Sequence, residues 1–230
     1  MNRVERLTSV RLLAVLWLAA PLGAQTLDAA YARLDKAAQQ FKSVSASIRR
    51  NTHTAIVNED AIETGTIKVK REKGRTRMLI DFLTPDKKSV AFDGDAGSVY
   101  YPKIRTVQIY NVGERRALVD QILLLGFGAS SDELKTNYTV SYVGPETVDG
   151  KPAHHLQLIP KSKDVLTRIK KAELWISEAN GAPLQQRFLT SASGDFMLVT
   201  YTDVKLNAPM SDGAVKLNYP KDTRVEHPQF

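Results

Sequence analysis

Beyond Lys42 the sequence is governed by a period of two. Short runs of alternating apolar and polar residues follow one another nearly to the C-terminus. Turn signals separate them: Glu72-Lys73-Gly74, Thr84-Pro85-Asp86, Asp93-Gly94-Asp95, Asp149-Gly150-Lys151, Ala179-Asn180-Gly181 and Ser193-Gly194-Asp195. Alternation of this kind places one set of side chains on each face of a strand. The expected strands begin with Val44–Arg50 and continue with Ala61–Arg71, Arg75–Leu83, Lys88–Asp93, Ser98–Tyr101 and Thr106–Val112. The second half adds Tyr138–Val143, Ala153–Ile159, Ile169–Ser177, Leu184–Ser191, Asp195–Val204 and Val215–Tyr219. About a dozen short strands with short connections predict a mainly β (α+β) chain, an antiparallel meander in a barrel or strongly curved sheet.

Two segments break that rhythm. Leu27, Tyr31, Leu34, Ala38 and Phe41 recur at threes and fours, which predicts an N-terminal helix. The stretch from Arg115 to Phe127 begins polar and then runs Ile122-Leu123-Leu124-Leu125-Gly126-Phe127, ahead of Ser130-Ser131-Asp132-Glu133-Leu134. It predicts a helix, a glycine break and a second short helix capped by Ser130 or Ser131 with Glu133 behind it. Its apolar density exceeds one helical stripe, so it needs a partner on more than one face. Across the mouth of a curved sheet it would find one, as a lid.

The first 24 residues are expected to leave the chain. Arg3, Arg6 and Arg11 precede a short apolar run, Leu12 to Leu22, and the small residues Gly23 and Ala24 offer a cleavage site before Gln25. The run is shorter than the roughly 18–20 apolar residues that span a bilayer. Leu22-Gly23-Ala24 is followed by Gln25 rather than by a cysteine that could be acylated. A Sec-type signal peptide over 1–24 and one soluble, monomeric domain over 25–230 are therefore expected, in the periplasm.

Composition then excludes chemistry. The chain has no cysteine, so disulfides, thiolate nucleophiles and cysteine-held metals are ruled out. A formal charge of +7 over 230 residues is too diffuse to argue for nucleic acid. There is no G-x-S-x-G, H-E-x-x-H or phosphate-binding glycine loop. His154 and His155 are adjacent on an expected strand and point to opposite faces, so they cannot share a metal; sheet-surface histidines are expected there. Asp93-Gly94-Asp95 reads as a hairpin turn. No enzyme, no metal and no cofactor is expected.

Binding is the alternative to catalysis, and the apolar phases supply candidate surfaces. Ile67 and Val69 share a face, as do Met78, Ile80 and Phe82, then Val90 and Phe92, then Val107 and Ile109. Arg71 falls in phase with Ile67 and Val69, so a guanidinium enters a face that should be apolar. It must find several oxygens or reach water.

One combination of these features resembles a known family. Phe41-Lys42-Ser43-Val44-Ser45-Ala46 follows the first helix. Gly65-Thr66-Ile67-Lys68-Val69-Lys70-Arg71 is succeeded by Phe82, Pro85, Asp93-Gly94 and Val99-Tyr100-Tyr101. Later come Leu174-Trp175-Ile176, Gly181-Ala182-Pro183-Leu184, Phe196, Val204-Lys205-Leu206-Asn207 and Leu217-Asn218-Tyr219-Pro220. Together they resemble the periplasmic outer-membrane lipoprotein carrier family (LolA). The resemblance implies an unclosed barrel whose apolar concave face lies under a helical lid. It implies acylated lipoproteins as cargo, an inner-membrane ATP-driven lipoprotein-releasing transporter as donor and an outer-membrane lipoprotein receptor as acceptor. The groove would comprise Ile67, Val69, Met78, Ile80, Phe82, Val90, Phe92, Val107 and Ile109. Leu118, Ile122, Leu125 and Phe127 would form the lid, and Arg71 would latch it through carbonyls at its end. A periplasmic carrier or sensor of another lipid, like a regulator of envelope stress, is the alternative.

Overall fold

The computed structural model describes residues 22–113, 119, 125–190 and 194–228. The chain opens with helix α1 (Leu22–Gln40) and then alternates strands with short connections. The strands of the first half are β1 (Ser43–Thr54), β2 (Glu59–Glu72), β3 (Arg75–Thr84), β4 (Lys88–Asp93), β5 (Ala96–Tyr101) and β6 (Thr106–Asn111). Helix α2 (Ser131–Asn137) leads into β7 (Tyr138–Val148) and β8 (Lys151–Pro160), and helix α3 (Lys163–Arg168) into β9 (Lys171–Ser177), β10 (Pro183–Leu189) and β11 (Phe196–Leu206). A last short strand, β12 (Arg224–Glu226), closes the order.

All these strands form one sheet in the order β12-β6-β5-β4-β3-β2-β1-β11-β10-β9-β8-β7. Only β12 with β6 is parallel; every other pair is antiparallel. The terminal strands β12 and β7 do not pair, so the sheet is an open half-barrel. Expectation and structure agree on this architecture. β1 and β11 join its two halves because Val44 pairs with Leu206 and Ile48 with Tyr201.

Register decides which residues face inward, since residues paired across strands share a face. One inner row runs Val44, Val69, Met78, Phe92. Another runs Ala46, Ile67, Ile80, Val90. In the second half the inner residues include Leu156, Leu174 and Gln186, with Leu158, Ala172 and Phe188 beside them. α1 lies on that half: Ala30 and Leu34 are buried with Leu156, Leu158, Leu174, Ile176 and Phe188. Gly65 sits where the β2–β3 register shifts, between Thr64 and Gly65. A Cβ there would stand 2.1 Å from the Asp81 carbonyl oxygen, so only glycine fits.

The outer face of β2–β6 is covered by the C-terminal segment. Asp212 meets Lys70 and Arg77 at 2.6 Å each, and the Tyr219 ring lies 5.8 Å from that of Tyr100. This corrects two expectations. Residues 215–219 form no strand: Asp212–Val215 is a 3-10 turn whose Val215 is buried, and β12 begins only at Arg224. Val107 and Ile109 pair with Tyr100 and Ser98, which puts them on the outer face, away from Ile67 and Met78. Val107 is fully buried because the tail covers it, so its apolar character gave the wrong face.

Other boundaries moved for local reasons. β4 has its expected limits, whereas β7 continues to Val148 through a register shift between Tyr142 and Gly144. Such a bulge lets a strand pass a Gly-Pro step. α2 begins with a capping box: the Ser130 hydroxyl accepts from the Glu133 backbone N–H while Glu133 accepts from that of Ser130. The six-residue α3, capped by Ser162, was not expected. The expected signal segment falls outside the described residues except for residues 22–24, which are the start of α1. Among the described residues no helix is long and apolar enough to cross a membrane.

Candidate functional site

The inner face of the first half is an apolar floor of β1, β2, β3, β4 and β11. Val44, Ala46, Ile48, Ile67, Val69, Met78, Phe82 and Tyr201 are buried on it, with Ile80, Val90 and Phe92 partly buried beside them. Of the nine groove residues expected, the structure brings seven together here and leaves Val107 and Ile109 outside.

Phe127 is pressed onto this floor with 1% of its surface exposed, its ring edge-on to Tyr201 at 4.9 Å and 85°. Phe41, at the end of α1, packs in the same cluster. Two residues before Phe127, Leu125 is buried instead in the cluster beneath α1. Residues 125–128 thus bridge the two halves of the inner face. Leu118 and Ile122 lie outside the residues whose side chains are described.

Two polar side chains on the floor hold that bridge. Arg71 Nη1 donates to the Gly128 carbonyl oxygen at 3.1 Å and its Nε lies 3.4 Å from Thr76 Oγ1. Its guanidinium also stands 5.2 Å from the Phe41 ring centroid. Arg71, half-buried, therefore ends on the backbone at Gly128. Gly128 makes this approach possible: its φ is +73°, and a Cβ there would meet the Phe41 ring at 2.6 Å.

The second holder was missed in the sequence. Gln186 is 1% exposed and its Nε2 donates to the Leu125 carbonyl oxygen. Its Oε1 accepts from Tyr201 Oη at 2.9 Å. Burial pushes the Tyr201 phenol above its ordinary range, which keeps it the neutral donor this bond requires. The signal was available: Gln186 interrupts the apolar phase Leu184, Phe188, as Arg71 interrupts that of Ile67 and Val69.

Beyond Phe127, toward the far rim, the floor opens into a cleft among Ile48, Met78, Phe82, Phe188, Met197 and Val199. Its volume is about 60 Å³, well below the roughly 300–1,000 Å³ of occupied ligand sites. A second cleft of about 260 Å³ lies between α1 and residues 126–128, with Phe41, Phe127 and Gly128 in its wall. The groove is closed in this conformation.

The histidines lie on opposite faces, and both are buried rather than at the sheet surface. His154 Nδ1 is 3.2 Å from Tyr142 Oη. His155 stacks on Trp175 at 4.2 Å, and its Nδ1 is 2.7 Å from Glu146. Among the described residues no group of three His, Asp or Glu could hold a metal. Asp93-Gly94-Asp95 is the β4–β5 hairpin turn.

The fold, an open antiparallel half-barrel with helices against its inner face, has counterparts among solved structures. MucB has a similar structure, at TM-score 0.55 and 18% identity over 90% of this chain and 67% of that one. In the Pseudomonas aeruginosa MucA/MucB complex the values are 0.50 and 18%, over 83% and 61%. This chain thus spans about two thirds of the MucB chains. An uncharacterized conserved protein from Thermus thermophilus aligns at 0.52 and 14% over 89% of this chain and 98% of that one. A LolA superfamily protein from Nitrosomonas europaea aligns at 0.39 and 15%, over 86% and 99%. No protein-family model and no curated protein matches the sequence.

Proposed function

We propose that the protein is a periplasmic carrier that takes the acyl chains of lipoproteins into the groove beneath residues 125–128. It would receive them from an inner-membrane ATP-driven transporter and pass them to an outer-membrane receptor. The observation that carries this reading is Phe127. It fills an apolar floor as a side chain of a short bridge that two hydrogen bonds hold down, so an acyl chain can replace it.

The energetics suit a shuttle. Each methylene buried contributes about 0.8 kcal/mol, so cargo binding can outweigh the loss of Phe127 packing and the two latches. Reclosure restores those contacts when the cargo leaves. Nothing in this cycle needs a nucleophile, so the protein works by binding and release rather than by catalysis.

The test is recovery of the protein from the periplasm of its host and native mass spectrometry of what accompanies it. Acylated polypeptide supports a lipoprotein carrier. Free lipid supports the second reading, a carrier or sensor of another amphiphile. A protein without cargo that also fails to extract lipoproteins from membrane vesicles would overturn both.

A further inference from the structure

At the far rim of the groove the apolar floor ends in charge. Arg50, Glu63 and Lys88 occupy the inner face one step beyond Ile48, Gly65 and Val90, since Arg50 pairs with Glu63 and Lys88 with Phe82. Glu63 is only 15% exposed and is held from both sides. Arg50 Nε donates to one carboxylate oxygen at 2.8 Å, and Lys88 Nζ lies 2.6 Å from the other. Both cations also stand over the Phe82 ring, at 4.5 and 5.0 Å from its centroid.

This triad separates two spaces. Arg50 and Phe82 belong to the wall of the 60 Å³ apolar cleft. Glu63 and Lys88 line a wide outer cleft of about 750 Å³, with Lys87 and Lys103 on its walls. Asp60 and Asp86 line it too, but Asp60 is 3.1 Å from His53 and Asp86 3.9 Å from Lys103. Within the triad two cations share one carboxylate, leaving one positive charge at the boundary between apolar floor and water.

We propose that Arg50 and Lys88 bind the anionic headgroup, a phosphate or carboxylate, of an amphiphile whose acyl chain enters the apolar cleft. Glu63 occupies their donors until the ligand arrives. The inference rests on the second reading above, a carrier of another amphiphile, and specifies the chemistry of its ligand. Arg50 presents a planar fork suited to two oxygens of one anion, and Lys88 adds a point charge. The Phe82 ring beneath them gives both cations an apolar floor on the side of the cleft.

The experiment is displacement of the neutral dye N-phenyl-1-naphthylamine by monoacyl lipids of equal chain length, below their micellar concentrations. Monoacyl phosphatidylglycerol, monoacyl phosphatidylcholine and monoacylglycerol give an anionic, a zwitterionic and a neutral headgroup. The anionic lipid is expected to bind about tenfold more tightly than the neutral one, the worth of one charge-assisted hydrogen bond. Lys88→Gln should remove that preference without weakening monoacylglycerol, Arg50→Gln should remove it too, and Lys88→Arg should retain it. Glu63→Gln should increase it, because the resident carboxylate no longer competes.

Equal affinity for all three lipids, or a preference that survives both glutamine substitutions, would overturn the headgroup site while leaving the carrier. Displacement by inorganic phosphate as effective as by the anionic lipid would make this a site for free anions and overturn the proposal. Failure of every lipid to displace the dye would overturn the carrier reading itself.

Discussion

Replacing Arg71 by leucine isolates one of the two latches on residues 125–128. The guanidinium loses one charge-assisted bond to the Gly128 carbonyl at 3.1 Å and its approach to the Phe41 ring at 5.2 Å. Hydrogen bonds to charged groups are worth about 1.5–3 kcal/mol, and half-burial of Arg71 argues for the lower part of that range. A cation over an aromatic face at an exposed site adds about 0.5 kcal/mol. Together the latch contributes about 2 kcal/mol, so the open fraction should rise roughly 30-fold in Arg71→Leu. The absence of native cysteine makes this measurable. Leu125→Cys places one thiol at a position 2% exposed in the closed groove, and its labelling rate by a large thiol reagent reports the open fraction. That rate is expected to increase about 30-fold when Arg71→Leu is added to the same background. In the transfer assay, cargo bound to Arg71→Leu should be retained, because closure no longer favours its release to outer-membrane vesicles. A labelling change of less than about twofold, under 0.5 kcal/mol, would refute the latch whatever the transfer assay gave.

Leu125→Asp would bury a carboxylate among Leu134, Leu156 and Leu174; cargo capture from membranes is expected to fail while the circular dichroism of the sheet persists. Gly65→Ala forces a Cβ against the Asp81 carbonyl, for which a loss of about 3 kcal/mol is expected, read as a fall in Tm of roughly 6–12 °C. The Asp212 carboxyl is held below its ordinary value of 3.8 by hydrogen bonds from Lys70 and then Arg77. Its folded value is the lower one, so its contribution is complete above about 3.8 and is lost as pH falls through the folded value. Denaturation midpoints from about pH 5 downward should therefore fall less steeply in Asp212→Asn than in the unaltered protein; identical slopes would show that the clamp on the tail contributes nothing.

The sequence by itself determined the antiparallel strand meander, the limits of β4, the capped helix over Ser131–Asn137 and the phase of Arg71. All of these depend on contacts within a strand or a turn, where a period of two, a Gly signal or a Ser-x-x-Glu spacing expresses the physics directly. Alternation also determined that Val107 and Ile109 share a face, but not which face. That answer depends on register across six strands and on whether anything covers the outside. Here Tyr219 and residues 212–215 cover it, so both faces of β3–β6 carry apolar residues and hydrophobicity no longer distinguishes them. Only the tertiary structure could bring Gln186 to Leu125 or Glu63 between Arg50 and Lys88, because those partners lie on separate elements. A lone glutamine or glutamate in a strand says that a polar group must be satisfied; the fold alone decides by which atom.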